Sequence, residues 1–115
     1  MSLPTPDSGQ TSTTGPLVST LASDPDMAEL VQFFVDEIED RIDTIRTTSQ
    51  ANDLAGLRMV AHQLKGAGTG YGFEPISQTA GELERVIDSA ESAEVTDAIQ
   101  QQVDGLIDLC RRASV

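Results

Sequence analysis

The chain has 115 residues and a formal net charge of −12, with three Phe, one Tyr, no Trp and a single Cys. This length suits one domain with a modest core, and the scarcity of aromatic residues favours aliphatic helices over a β-sandwich. The acidic balance argues against nucleic acid and anionic membranes as partners, because both are bound through clustered Lys and Arg. A lone cysteine forms no internal disulfide, and we interpret Cys110 as a small buried hydrophobic residue.

The first sixteen residues have the composition of a disordered tail or linker, since twelve of them are Ser, Thr, Pro or Gly. We assign residues 17–115 to one folded domain. No signal-peptide pattern is present and no apolar run is long enough to span a membrane, so we expect a cytoplasmic protein. The apolar patch Leu17, Val18 and Leu21 predicts a short N-terminal helix that caps one end of the domain.

Four segments have the apolar periodicity of amphipathic helices. The first follows the start signal at residues 24–26 (Asp-Pro-Asp). Its apolar stripe comprises Leu30, Phe34, Ile38, Ile42 and Ile45. The second begins near Asn52 and ends in the glycine-rich residues 66–72, the third opens at Pro75, and the fourth is capped by Ser92. Short connections between such helices predict an all-α, antiparallel up-down-up-down four-helix bundle.

His62 is the only histidine, and its position on the second helix follows from the turn of about 100° per residue. The apolar stripe of that helix lies within roughly 60° of Leu57 and comprises Val60, Ala61, Leu64 and Gly68. His62 falls about 140° from Leu57, on the side that faces solvent. The spacing therefore predicts an exposed histidine rather than one buried in the core.

The residues beside His62 suit phosphoryl transfer. Neutral imidazole is a competent nucleophile near pH 7, and the cations Arg58 (i−4) and Lys65 (i+3) favour the neutral ring and can pair with phosphoryl oxygens. Gly66 (i+4) costs on the order of 1 kcal/mol relative to Ala on an exposed helix. That cost is explained if Gly66 leaves clearance for the active site of another protein.

Other kinds of site find little support in the sequence. No second histidine exists and no carboxylate lies three or four residues from His62, so the helix offers no metal-ligand pair. The glycine run matches neither GxGxxG nor GxxxxGK[ST], which argues against ATP binding and autonomous kinase activity. Three alternatives stay open: a plain surface histidine, a non-catalytic docking module, and a helical hydrolase with His62 as its base.

Residues 62–68 (His-Gln-Leu-Lys-Gly-Ala-Gly), followed by Gly72-Phe73, resemble the histidine-phosphotransfer (HPt) family, whose signature is His-x-Leu-Lys-Gly, small residues and a Gly-apolar pair. The segments at 30–35 and 82–84 are similar too, and the resemblance covers about residues 17–112. It implies a phosphocarrier in a multistep phosphorelay. The partners implied are response-regulator receiver domains and a hybrid or sensor histidine kinase. We expect a monomer that needs no cofactor of its own, because the receiver domain supplies the Mg²⁺.

The resemblance also implies roles for individual residues. His62 is the phosphoacceptor, and Lys65 supplies charge near the phosphoryl group. Glu84 stands where many members have a polar residue, often Gln, that hydrogen-bonds the histidine ring; a carboxylate can accept from the ring but also repels the phosphoryl group. We expect the partner-docking surface around His62 to comprise Arg58, Met59, Gly66 and Gly81.

Overall fold

Four helices make up most of residues 15–114, which confirms the predicted all-α helical bundle. The computed structural model describes residues 15–114. Its helices are α1 (Ala28–Gln50), α2 (Leu54–Gly70), α3 (Glu74–Ser89) and α4 (Asp97–Arg112). Two short strands, β1 (Leu17–Val18) and β2 (Ala113–Ser114), pair in parallel. Within residues 15–114, no helix combines the length and the apolar character needed to cross a membrane.

The core is built from aliphatic side chains of all four helices together with Phe34 and Phe73. Its largest fully buried side chains include Ile42, Ile45, Leu57, Leu64, Ile76, Leu83, Ile99 and Leu106. Cys110 is fully buried, as predicted, and burial raises the pKa of its thiol to about 12. The predicted stripe of α1 needs one correction. Val31 is buried and Leu30 is exposed, because Val31 lies closer to the centre of the arc that Phe34 and the following isoleucines define.

Three of the four helices begin later than the local cap chemistry indicated. α1 starts at Ala28, since the Asp24 side chain accepts from the Asp26 amide in a preceding turn. Asp53 rather than Asn52 caps α2 and accepts from the Gly56 amide at 3.0 Å. For α4 the cap is Thr96 rather than Ser92, whose hydroxyl accepts from Glu94 in the connecting loop. Capping side chains also form isolated turns, which sequence alone does not separate from helix starts.

The segment before α1 forms a strand and a turn where we expected a short capping helix. Leu17 and Leu21 do pack against the core. The backbone instead pairs with distant parts of the chain: the Ser19 amide donates to Ser114 at 3.4 Å and the Thr20 amide to Gly72 at 2.9 Å. These long-range hydrogen bonds replace those that a short isolated helix would make within itself. The predicted tail lies outside the described residues, apart from positions 15 and 16.

Helices α2 and α3 approach closely at Gly68. A Cβ added to Gly68 would lie 2.7 Å from the Ser77 backbone nitrogen, so only glycine fits there without movement. The Ser77 hydroxyl, in turn, donates to the Lys65 carbonyl at 2.7 Å. Further along the same pair of helices, His62 meets Glu84 and Arg58 meets Asp88. The earlier a residue lies in α2, the later its partner lies in α3. This arrangement places α3 alongside His62.

Candidate functional site

His62 lies on the exposed side of α2, with 69 % of its side chain accessible. The angular argument from the sequence is therefore correct about its position. Its ring nitrogen Nδ1 lies 3.1 Å from Oε2 of Glu84 on α3. An ionised carboxylate can only accept a hydrogen bond, so this contact requires Nδ1 to carry the proton. In the neutral ring, Nε2 then holds the lone pair and is the nitrogen available for reaction.

Glu84 is the most enclosed charged group of the site, with 10 % of its side chain accessible. Besides the His62 ring, its Oε2 lies 3.2 Å from Nη2 of Arg58, and its Oε1 lies 3.7 Å from Nζ of Lys65. A carboxylate taken largely out of water needs such partners, because burial without compensation penalises its charge. The structure therefore brings together four residues that the sequence analysis singled out.

Arg58 makes a second and closer ion pair with Asp88, one turn beyond Glu84 on α3. Its Nε donates to Oδ1 at 2.6 Å and its Nη2 to Oδ2 at 3.1 Å. The hydrogen bond from Arg58 holds the pKa of the Asp88 carboxyl below its ordinary value, and the same bond raises the pKa of the guanidinium. Asp88 was not identified from the sequence. Glu84 and Asp88 repeat on α3 the i, i+4 interval of Arg58 and His62 on α2, but this spacing alone does not show that the two pairs face each other.

The surface around His62 is open. A Cβ placed on Gly66 would meet no atom within 4 Å, which agrees with the clearance expected there. Met59 is 64 % exposed although it is a large apolar residue. An open depression between these side chains is lined by Ala55, Arg58, Met59, His62 and Gln63. Exposed apolar surface beside a reactive side chain is typical of protein interaction sites.

Gly81 lines a different open depression, together with Lys65 and Ser77, and its expected part in docking stays a prediction. It is buried, and a Cβ added there would lie 3.6 Å from Cδ of Lys65. The side chain of Lys65 covers this glycine on its way to Glu84. Gly81 therefore leaves room for the side chain of Lys65 against α3.

A contribution from α1 was also missed. Nη1 of Arg41 donates to Oε1 of Gln63 at 2.8 Å, which links α1 to the residue directly after His62. The sequence held no signal for this contact, because helical periodicity does not fix how two helices face each other. As a result, three of the four helices contribute a polar side chain to the neighbourhood of the histidine.

The site has the parts of a nucleophile. Within residues 15–114, no group of three or more His, Cys, Asp or Glu side chains is placed to hold a metal ion. An oriented imidazole with an outward nitrogen and a neighbouring ammonium can accept an anionic group and partly offset its charge.

One of three comparisons with known proteins found a match. Neither the search of curated proteins nor that of solved structures found a match. A family model described as the Hpt domain matches residues 29–113, which include all four helices except the first residue of α1, but not β1. Since this match covers well over half of the chain, the protein belongs to the Hpt domain family.

Proposed function

We propose that this domain carries a phosphoryl group on Nε2 of His62 and exchanges it with aspartates of response-regulator receiver domains. The observation that carries the proposal is the exposed imidazole whose Nδ1 is engaged by Glu84 at 3.1 Å, with Lys65 beside it. Membership of the Hpt family implies phosphotransfer within a phosphorelay. The assignment of the individual residues is our own.

The transfer is a displacement at phosphorus. The Nε2 lone pair of His62 attacks the phosphorus of an aspartyl phosphate, the bond from phosphorus to the aspartyl oxygen breaks, and the aspartate leaves as a carboxylate. The ring then carries a positive charge shared between the phosphorylated Nε2 and the protonated Nδ1. Glu84 stabilises that charge through Nδ1–H, and Lys65 pairs with the phosphoryl oxygens. The reverse displacement returns the group to a second receiver domain.

In this proposal the receiver domain supplies the remaining groups that the transfer needs. The receiver domain contributes the aspartate and holds the Mg²⁺, so the carrier needs only a nucleophile, a cation and room for approach. Arg58, Met59, Gly66 and Gly81 form the docking surface. A hybrid or sensor histidine kinase supplies the phosphoryl group upstream, and the domain itself has no kinase activity.

The arrangement of the helices, the oligomeric state and the location of the domain are part of the same proposal. We infer an antiparallel up-down-up-down bundle, supported by the partners of α2 on α3, whose residue numbers fall from Asp88 through Glu84 to Ser77 as those on α2 rise. We further propose that the domain acts as a monomer in the cytoplasm, where receiver domains and their kinases meet.

The test is transfer of label from a phosphorylated receiver domain to the purified chain. We expect acid-labile, base-stable label on the wild type and none on His62→Gln, which removes the only histidine. Label on the His62→Gln chain would contradict the assignment of the site. Binding of the receiver without any transfer would identify a docking module instead.

A further inference from the structure

Arg58 lies between two carboxylates of α3 and binds one of them more closely than the other. Its Nη2 is 3.1 Å from Oδ2 of Asp88 and 3.2 Å from Oε2 of Glu84. Only with Asp88 does the guanidinium make the two parallel hydrogen bonds that fix its orientation, because Nε bonds to Oδ1 at 2.6 Å. Asp88 therefore holds Arg58 beside Glu84 and keeps part of its hydrogen-bonding capacity engaged elsewhere.

Arg58 and His62 contact the same carboxylate oxygen of Glu84. Oε2 of Glu84 accepts from Nδ1 of His62 at 3.1 Å, so Arg58 and the ring share the same atom. Lys65 approaches the other oxygen, Oε1, and Arg41 of α1 is engaged with Gln63. Arg58 is thus the cation that competes with the ring for this oxygen, and the strength of its bond to Asp88 sets the strength of that competition.

We propose that Asp88 is a positioning residue for phosphoryl transfer, which acts through Arg58 to keep Oε2 of Glu84 available to Nδ1–H of His62. This inference rests on the proposed function and extends it to a residue that touches neither the histidine nor the phosphoryl group. While Asp88 restrains Arg58, the ring keeps its proton on Nδ1 and presents the lone pair of Nε2. Without Asp88, Arg58 turns fully to Glu84 and weakens the bond that fixes the tautomer.

The tautomer can be read directly, because the chain has a single histidine. We would label the wild type and its variants with ¹⁵N-histidine and measure the two ring nitrogen shifts at a pH where imidazole is neutral. Asp88→Asn should lower the ratio of Nδ1–H to Nε2–H by about two- to fivefold, the effect of weakening one hydrogen bond. The same variant should slow phosphoryl transfer to His62 by a similar factor. Asp88→Glu, which keeps the charge, should retain both properties.

A double-mutant cycle separates an effect through Arg58 from a general effect of charge. In the Arg58→Gln background, Asp88→Asn should leave the tautomer ratio unchanged, since the competitor is already absent. Glu82→Gln is the matched control, because Glu82 is an exposed carboxylate on the same helix that pairs with Arg85 rather than with Arg58. It should change neither the ratio nor the transfer rate.

Two results would overturn the inference. One is a tautomer ratio unaffected by Asp88→Asn, and the other is an equal change with and without Arg58. The ratio is measured on the unphosphorylated protein, so it does not depend on the phosphorelay assay. Normal transfer with no dependence of the ratio on Asp88 refutes this inference alone, whereas absence of any transfer to the wild type refutes the proposed function together with it.

Discussion

Two glycines on the same helix are expected to respond in opposite ways to the same substitution. Gly68→Ala places a methyl group 2.7 Å from the Ser77 nitrogen and 3.0 Å from the Phe73 carbonyl oxygen. Both neighbours are backbone and cannot rotate away, so the overpacking cost lies near the upper end of its range, about 3 kcal/mol. The better helix propensity of Ala offsets about 1 kcal/mol of this. The net loss in the free energy of unfolding is then about 2 kcal/mol.

Gly66→Ala is the matched control, two residues earlier in α2. The added methyl group meets no atom within 4 Å, so only the helix propensity acts and the variant should gain about 1 kcal/mol. At about 4–8 °C per kcal/mol for a domain of this size, the two melting temperatures should move in opposite directions and differ by more than 10 °C. Urea denaturation gives the free energies directly. Equal stabilities for the two variants would contradict the close approach of α2 and α3 inferred at Gly68.

Three further predictions concern the site. Lys65→Ala should keep the helicity measured by circular dichroism but slow transfer from a phosphorylated receiver domain about tenfold, the effect of losing one charge-assisted contact; an unchanged rate would remove Lys65 from the mechanism. Gly66→Trp should fold yet lose receiver binding in calorimetry, and normal affinity would contradict the clearance argument. The pKa of Asp88 is lowered by Arg58 from its ordinary value of 3.8, so the ion pair stabilises the fold above that value and this contribution disappears as the pH falls through the lowered pKa. The difference in stability between the wild type and Arg58→Gln should therefore shrink on acidification, and a constant difference down to strongly acidic pH would refute it.

The helices and most of the core were predictable because a period of 3.6 residues is a property of each segment alone. The buried isoleucines of α1 and the exposure of His62 follow from that period. The boundaries were less predictable where two capping side chains compete. Asp53 rather than Asn52 caps α2, and the Asn52 side chain accepts from the Val95 amide instead. Such a bond depends on the position of a residue more than forty places along the chain.

The residues of the site were likewise predictable only in part. The neighbours of His62 along α2 were found from their spacing, and the resemblance to the family indicated Glu84. The ion pair of Arg58 with Asp88 and the link from Arg41 to Gln63 were missed, because both depend on how neighbouring helices face each other. The parallel strands β1 and β2 were missed for the same reason, since residues near the two ends of the domain form them.

In the proposed phosphorylated state, the glutamate at position 84 has a consequence of its own. A carboxylate facing Nδ1 favours the protonated, cationic ring, which is the better leaving group from phosphorus, and it repels the phosphoryl group as well. Glutamine removes the repulsion and can donate to Nδ1 after the ring has lost its proton. Glu84→Gln should therefore lengthen the lifetime of the phosphohistidine against hydrolysis about tenfold, as expected for a charge-assisted hydrogen bond of roughly 1.5 kcal/mol. The decay is measured by ³¹P NMR at neutral pH with Glu82→Gln as the control, and a lifetime that is unchanged or shorter would show that Glu84 does not activate the phosphoryl group.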